Sequence, residues 1–193
     1  MRAEIPLAAM PLFFAIQQGV EGLLWLSLTD GSERPEASLL LANVFLVFAK
    51  VVWPILTPFA VVLIEARPGR RRLIRWCCAA GVLAGAFFAW SLVANPHMAW
   101  IESGHIAYSP EHQLPWIIGS MYVAATCVAP LLSSHAAVKV LGIIVTAGSA
   151  VTYFLYWEAY TSVWCFFSAA ASGVIVFYFE KARQHRLALR ASA

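Results

Sequence analysis

The chain has 193 residues, of which 61% are hydrophobic and 12% charged, with a formal net charge of +3. That is far more apolar side chain than one water-soluble core of this length can hide, and the mean hydropathy of +0.74 agrees, so a soluble globular domain is excluded. The basic residues sit at the ends of apolar runs and not in an aromatic-interleaved patch, which argues for no nucleic acid and makes the lipid bilayer the first partner.

Six apolar runs, at about residues 5–28, 38–64, 73–94, 114–133, 136–157 and 161–180, each approach the roughly 20 residues needed to cross hydrocarbon. None alternates apolar and polar residues as a barrel strand does. Backbone groups in lipid need partners within their own segment, so all six are predicted to be helices. The expected fold class is an all-α integral membrane protein: one polytopic domain over residues 1–193, built as a six-transmembrane-helix bundle.

The first run carries Gln17, Gln18 and Glu21 inside an otherwise apolar stretch. Glu21 lies one turn after Gln17, so this helix has a polar side that must face protein. The second contains Trp53-Pro54 and Pro58, which remove backbone donors and should kink or loosen it near its middle. Counted by sevens and fours, Asn43, Lys50, Pro54 and Thr57 share one of its faces. The third has Gly81-x-x-x-Gly85 followed by Ala89, a ridge of small residues suited to close helix approach. Small-and-polar stripes continue in the fourth (Gly119, Tyr122, Thr126, Pro130) and the fifth (Gly142, Thr146, Ser149, Tyr153, Tyr156). The sixth opens with Trp164-Cys165 and carries Ser168, Ser172 and Gly173.

Orientation is read from the breaks. Arg67, Arg70, Arg71, Arg72 and Arg75 fall between the second and third runs, and Lys181, Arg183, Arg186 and Arg190 come after the sixth. By the positive-inside rule both regions belong in the cytoplasm, which puts both termini there and the chain in the inner (plasma) membrane. The breaks at 29–37 and 95–113 are acidic or uncharged by comparison and face outward.

Glu21 and Lys50 form the sharpest candidate pair. Counted from the outer ends of their helices, their alpha carbons lie roughly 10 Å and 16 Å deep. Side chains lean toward the helix N-terminus, which moves the two heads to a common depth. Gln17, Gln18 and Asn43 could satisfy their remaining donors and acceptors, giving an intramembrane polar site that relays protons or binds a polar group, or else an ion pair that only sets helix register. In the outer loop, His97, His105 and His112 with Glu102 or Glu111 are the candidates for a metal or pH-sensing site. Spacings of eight and seven match no ligand signature. The cysteines at 77, 78, 127 and 165 lie in apolar runs and imply neither disulfides nor zinc. Nucleotide-binding, dinucleotide-binding and metalloprotease motifs are absent, and no cofactor is specified.

The phrases at residues 5–18 with Glu21-Gly22, then Trp53-Pro54 with Pro58 and Glu65, and Trp164-Cys165-Phe166-Phe167-Ser168-Ala169 resemble those of an uncharacterised bacterial family of small multi-pass membrane proteins. The resemblance implies relatives with seven helices, whose additional first helix opens in a Met-Cys-Phe-Ser-Ala phrase that this chain lacks. It brings no activity. The function expected is therefore a non-enzymatic binding or accessory subunit of a larger membrane assembly, with other membrane protein subunits as partners. The alternatives are a proton-linked small-solute transporter using the Glu21/Lys50 seam and a membrane-embedded enzyme with an outer-face metal site.

Overall fold

The computed structural model describes residues 2–29, 35–109 and 115–191. It is mostly helical, and five helices are long and apolar enough to cross a membrane: α1 (Ile5–Thr29), α2 (Pro35–Ile64), α3 (Pro68–Ala94), α5 (Ala136–Leu155) and the span Trp157–Lys181. The last is made of α6 (Tyr160–Ala171) and the first half of α7 (Gly173–Ala191), joined by a turn at Ser172. The apolar helix α4 (Trp116–Leu132) is shorter. A feature not expected from the sequence lies within the 95–113 break, an antiparallel hairpin of β1 (Ala99–Glu102) and β2 (His105–Tyr108). Ser103 and Gly104 turn it with φ of 49° and 77°, the positive pair that a tight two-residue turn requires.

The prolines of α2 and α4 set the local geometry. Pro54 cannot donate to the carbonyl of Lys50, and the turn before it, Val47–Val52, widens into a π-helix. There the amide of Trp53 bonds the carbonyl of Phe48, which leaves the Ala49 carbonyl without its usual helical donor. The Tyr122 hydroxyl of α4 donates to it at 2.6 Å. Pro130 acts in the same way on α4, where Ala124–Val128 is a π-turn and the Ala129 amide bonds Ala124. Pro58 likewise withholds a donor from the Pro54 carbonyl, and Gly81 of α3 packs directly against that oxygen. A Cβ at Gly81 would overlap it, whereas one at Gly85 would press on Ile55 at 2.9 Å. The small-residue ridge of α3 thus seals the proline-loosened half of α2.

The core has two parts. One, near the arginine loop, gathers Met10, Phe14, Trp53, Val61, Ile74 and Leu141; the other, under the hairpin, gathers Leu24, Phe45, Leu46, Leu92, Ile106 and Tyr108.

A polar clamp joins the loops at the arginine end. The Glu65 carboxylate, 1% exposed, accepts bonds from the Ser134 amide and hydroxyl, both at 2.6 Å, and from the Arg67 amide at 3.0 Å. Arg70 donates to the Ser133 carbonyl at 3.0 Å, and the His135 ring bonds the carbonyl of Ile64 at 2.9 Å. Burial pushes the Glu65 carboxyl up, but the Ser134 and Arg67 hydrogen bonds and the nearby His135 outweigh it and bring it from 4.5 down to about 2.

Gly81→Ala is expected to lower thermal stability by about 1–3 kcal/mol through overpacking. Gly22→Ala, with nothing within 4 Å of the new methyl, should change it by less than about 0.5 kcal/mol, and melting of the solubilised variants compares them. Because the folded Glu65 value lies below the unfolded one, the clamp's contribution is present above pH 4.5 and is lost as pH falls toward about 2. Wild-type melting temperature should drop across that window, while Glu65→Gln starts lower and varies less; parallel slopes would refute the assignment.

Candidate functional site

The polar residues of α1 lead to two different places. Gln17 is fully buried, and its Oε1 accepts a bond from the indole N–H of Trp53. The Trp53 ring stacks on Phe14 with centroids 3.7 Å apart, while Gln17 Nε2 has no hydrogen-bond partner among the described residues. Beneath that stack lies a cavity of about 40 Å³ lined mainly by apolar side chains, with Thr57, Tyr122, Thr126 and Ser168 among them. Gln18 and Glu21 turn instead toward the hairpin end.

There, a cleft of about 450 Å³ opens between α1, α6 and the hairpin. Gln18, Glu21, Trp25, His105, Tyr156, Ser162, Phe166 and Phe167 line it, with Gly22, Gly104, Ile106 and Val163 between them. Glu21 is 8% exposed and forms part of its floor. Its Oε2 accepts a bond from Gln18 Nε2 at 3.2 Å, its Oε1 accepts the Tyr108 hydroxyl at 3.2 Å, and the Ser162 hydroxyl also bonds it. Tyr108 reaches down from β2, with its ring stacked on Phe45 of α2 at 5.2 Å and only 5° from parallel. At the mouth, the His105 ring meets Tyr156 edge-on at 5.0 Å.

The expected pairing of Glu21 with Lys50 is not seen among the bonds described at Glu21, which come from Gln18, Tyr108 and Ser162; the Lys50 ammonium lies 5.9 Å from the Phe88 ring centroid. The shared face counted for Asn43, Lys50, Pro54 and Thr57 assumes 3.6 residues per turn throughout α2, but Lys50 sits within the π-turn, where an extra residue rotates the rest of the helix about its axis. Asn43 also departs from the seam. Its amide N–H donates to the His97 carbonyl at 3.1 Å and its oxygen accepts the His97 amide at 3.0 Å, tying α2 to the stem of the hairpin. The expected five-residue site therefore divides into a Gln17–Trp53 bond, a Gln18–Glu21 cleft floor, an Asn43 strap and a lysine over an aromatic ring.

The histidines do not converge either. His97 is buried, with Nδ1 2.8 Å from the Asn95 carbonyl; burial and the charge of Lys50 pull its pKa below the usual value, against the Asn95 bond. His105 pairs with Glu102 at the turn end of the ladder, at least roughly 10 Å of strand away from the stem where His97 lies. His112 and Glu111 lie outside the described residues. Among the described residues, no three His, Cys, Asp or Glu side chains are placed to hold a metal.

Tyr108, Tyr156, Ser162 and Phe166 are site residues that sequence reasoning missed. The available signal was the run Trp100-Ile101-Glu102-Ser103-Gly104-His105-Ile106-Ala107-Tyr108, two β-prone stretches about a Ser-Gly turn.

Fold and site define a multi-helix membrane protein with a hairpin-capped polar cleft at one end. Within that class, the chain belongs to a family of unknown function, DUF6629, whose profile matches residues 1–192. Neither a curated protein nor a solved structure matches it.

Tyr108 joins hairpin to floor in two separable ways. Tyr108→Phe, which keeps the stack and loses one hydrogen bond, should weaken hairpin attachment by about 1–2 kcal/mol. Tyr108→Ala, which empties a buried site, should weaken it by about 3–5 kcal/mol. Hydrogen exchange at the Trp100 and Ala107 amides, a hydrogen-bonded pair of the ladder, reads both, and equal exchange in the two variants would refute the stacking contribution.

Proposed function

We propose that this chain is a bacterial inner-membrane protein of six helices with both termini in the cytoplasm, and that it acts by binding and not by catalysis. It serves as a binding or accessory subunit whose ligand enters from the outer side. The observation that carries this reading is the cleft at the hairpin end, because it brings a largely buried carboxylate within reach of a small molecule. A volume of about 450 Å³ lies in the range of small-ligand sites. Apolar walls and a few placed polar groups are the usual makeup of such sites.

The separation of the two spaces favours binding over passage. The cleft and the small inner cavity share no lining residue, and the stacked Phe14 and Trp53 rings belong to the inner cavity alone. A proton or solute path would need hydration continuing past them. The orientation rests on charge. The arginine-rich loop and its Glu65 clamp lie at the end opposite the hairpin, and cytoplasmic loops carry such excess. At 1.5 Å per residue α4 is about 25 Å long, close to the hydrocarbon thickness, which supports its counting as the sixth crossing.

Gly22 gives a direct test, since it lines the cleft and has nothing within 4 Å of a new Cβ. A Gly22→Cys variant in intact cells should react with a membrane-impermeant maleimide added outside. Native Cys77, Cys127 and Cys165 are buried and Cys78 is half-buried, so the parent chain provides the background. No labelling above that background would overturn the outward-open reading.

A further inference from the structure

We infer that the cleft selects an organic ammonium group, held by Glu21 and walled by aromatic rings; this rests on the outward-open binding reading above. Among its described lining residues the cleft carries one acidic side chain, Glu21, and no lysine or arginine. Every described donor to that carboxylate is neutral: the Gln18 amide, the Tyr108 hydroxyl and the Ser162 hydroxyl. With three bonds described, one acceptor site remains, because a carboxylate accepts about four bonds in all. A buried carboxylate is stabilised by a partner of opposite charge, and the cleft side has room for one.

The walls narrow the class of cation. Trp25, Tyr156, Phe166 and Phe167 present aromatic surface, and a ring face attracts a weakly hydrated ammonium by about 0.5–2 kcal/mol. A hard metal ion wants six or more oxygen ligands, whereas here one carboxylate stands among neutral groups and rings. Anions meet the carboxylate's repulsion, and neutral polar solutes gain no ion pairing. The cleft also borders the surface that faces lipid, since Phe166 is 61% exposed and Leu23, beside Gly22, is 57% exposed. An ammonium group could therefore arrive on a free small amine or on an aminophospholipid head group, and the same recognition serves both.

The full chain carrying Gly22→Cys, reconstituted in nanodiscs, separates these sources through the rate of maleimide labelling at pH 7.5. In phosphatidylglycerol discs, choline chloride or ethanolamine hydrochloride should slow labelling progressively through the millimolar range, reaching about fivefold, while equal sodium chloride does not. Protection in discs containing phosphatidylethanolamine, with no soluble amine added, identifies the lipid source. Glu21→Gln, which keeps the shape of the side chain, should abolish protection, and Phe166→Ala, on an exposed wall, should weaken it severalfold. Melting curves confirm that both variants fold. Equal rates with amine and sodium, or protection that survives Glu21→Gln, would overturn the inference. Absence of any labelling would instead count against the outward-open cleft itself.

Discussion

In hydrocarbon a backbone carbonyl deprived of its helical donor must find another partner, and three prolines of this chain raise that demand where helices two to five meet. Pro54 sits beyond a π-turn that strands the Ala49 carbonyl, and the hydroxyl of Tyr122 on α4 supplies the missing donor. Pro58 exposes the Pro54 carbonyl, and only a glycine at position 81 lets α3 come close enough to cover it. Pro130 follows the second π-turn, and Gly142 of α5 packs against Pro130 and the Leu131 amide. Helices two to five thus meet at proline-broken ladders, through one replacement hydrogen bond and close glycine packing as well as by apolar contact. That set of contacts holds the frame against which α1 and α6 form the cleft.

The site depends on the frame in a specific way. Tyr108 lies on a short hairpin, an element with little stability of its own. It is held by the stack on Phe45, by the Asn43 strap at His97, and by its bond to Glu21. The hairpin in turn places His105 at the mouth, against Tyr156. A single residue, Glu21, is therefore the meeting point of α1, the hairpin and α6, and its carboxylate faces the cleft at that end of the molecule. At the other end Glu65 joins two loops in a closed clamp, its oxygens taken up by Ser134 and Arg67, so the two acidic side chains are placed differently: one ties the loops, the other lines a cleft.

Much of this was legible in the residues. The long apolar runs announced helices, the arginines marked one end, and the polar residues Gln18 and Glu21 of α1, singled out in the sequence, line the cleft. The small-residue ridge at Gly81 and Gly85 correctly indicated close packing. The set of donors to Glu21 was not legible. Counting Lys50 onto its face required an unbroken 3.6-residue helix, and the π-turn before Pro54 removed that condition. The hairpin was overlooked because a four-residue strand gives little periodic signal, although its Ser-Gly turn was visible.

What the sequence by itself determined is the medium and the long helical segments: apolar length and charge placement are additive along the chain, and lipid tolerates few alternatives to a helix. What only the tertiary structure decided is which polar groups meet. Tyr108 is 87 residues from Glu21 and Tyr122 is 73 from Ala49, and each hydrogen bond depends on helix rotation to a fraction of a turn. That rotation is set where prolines break the helical ladder and neighbouring helices complete it, a collective result of packing that no local pattern encodes.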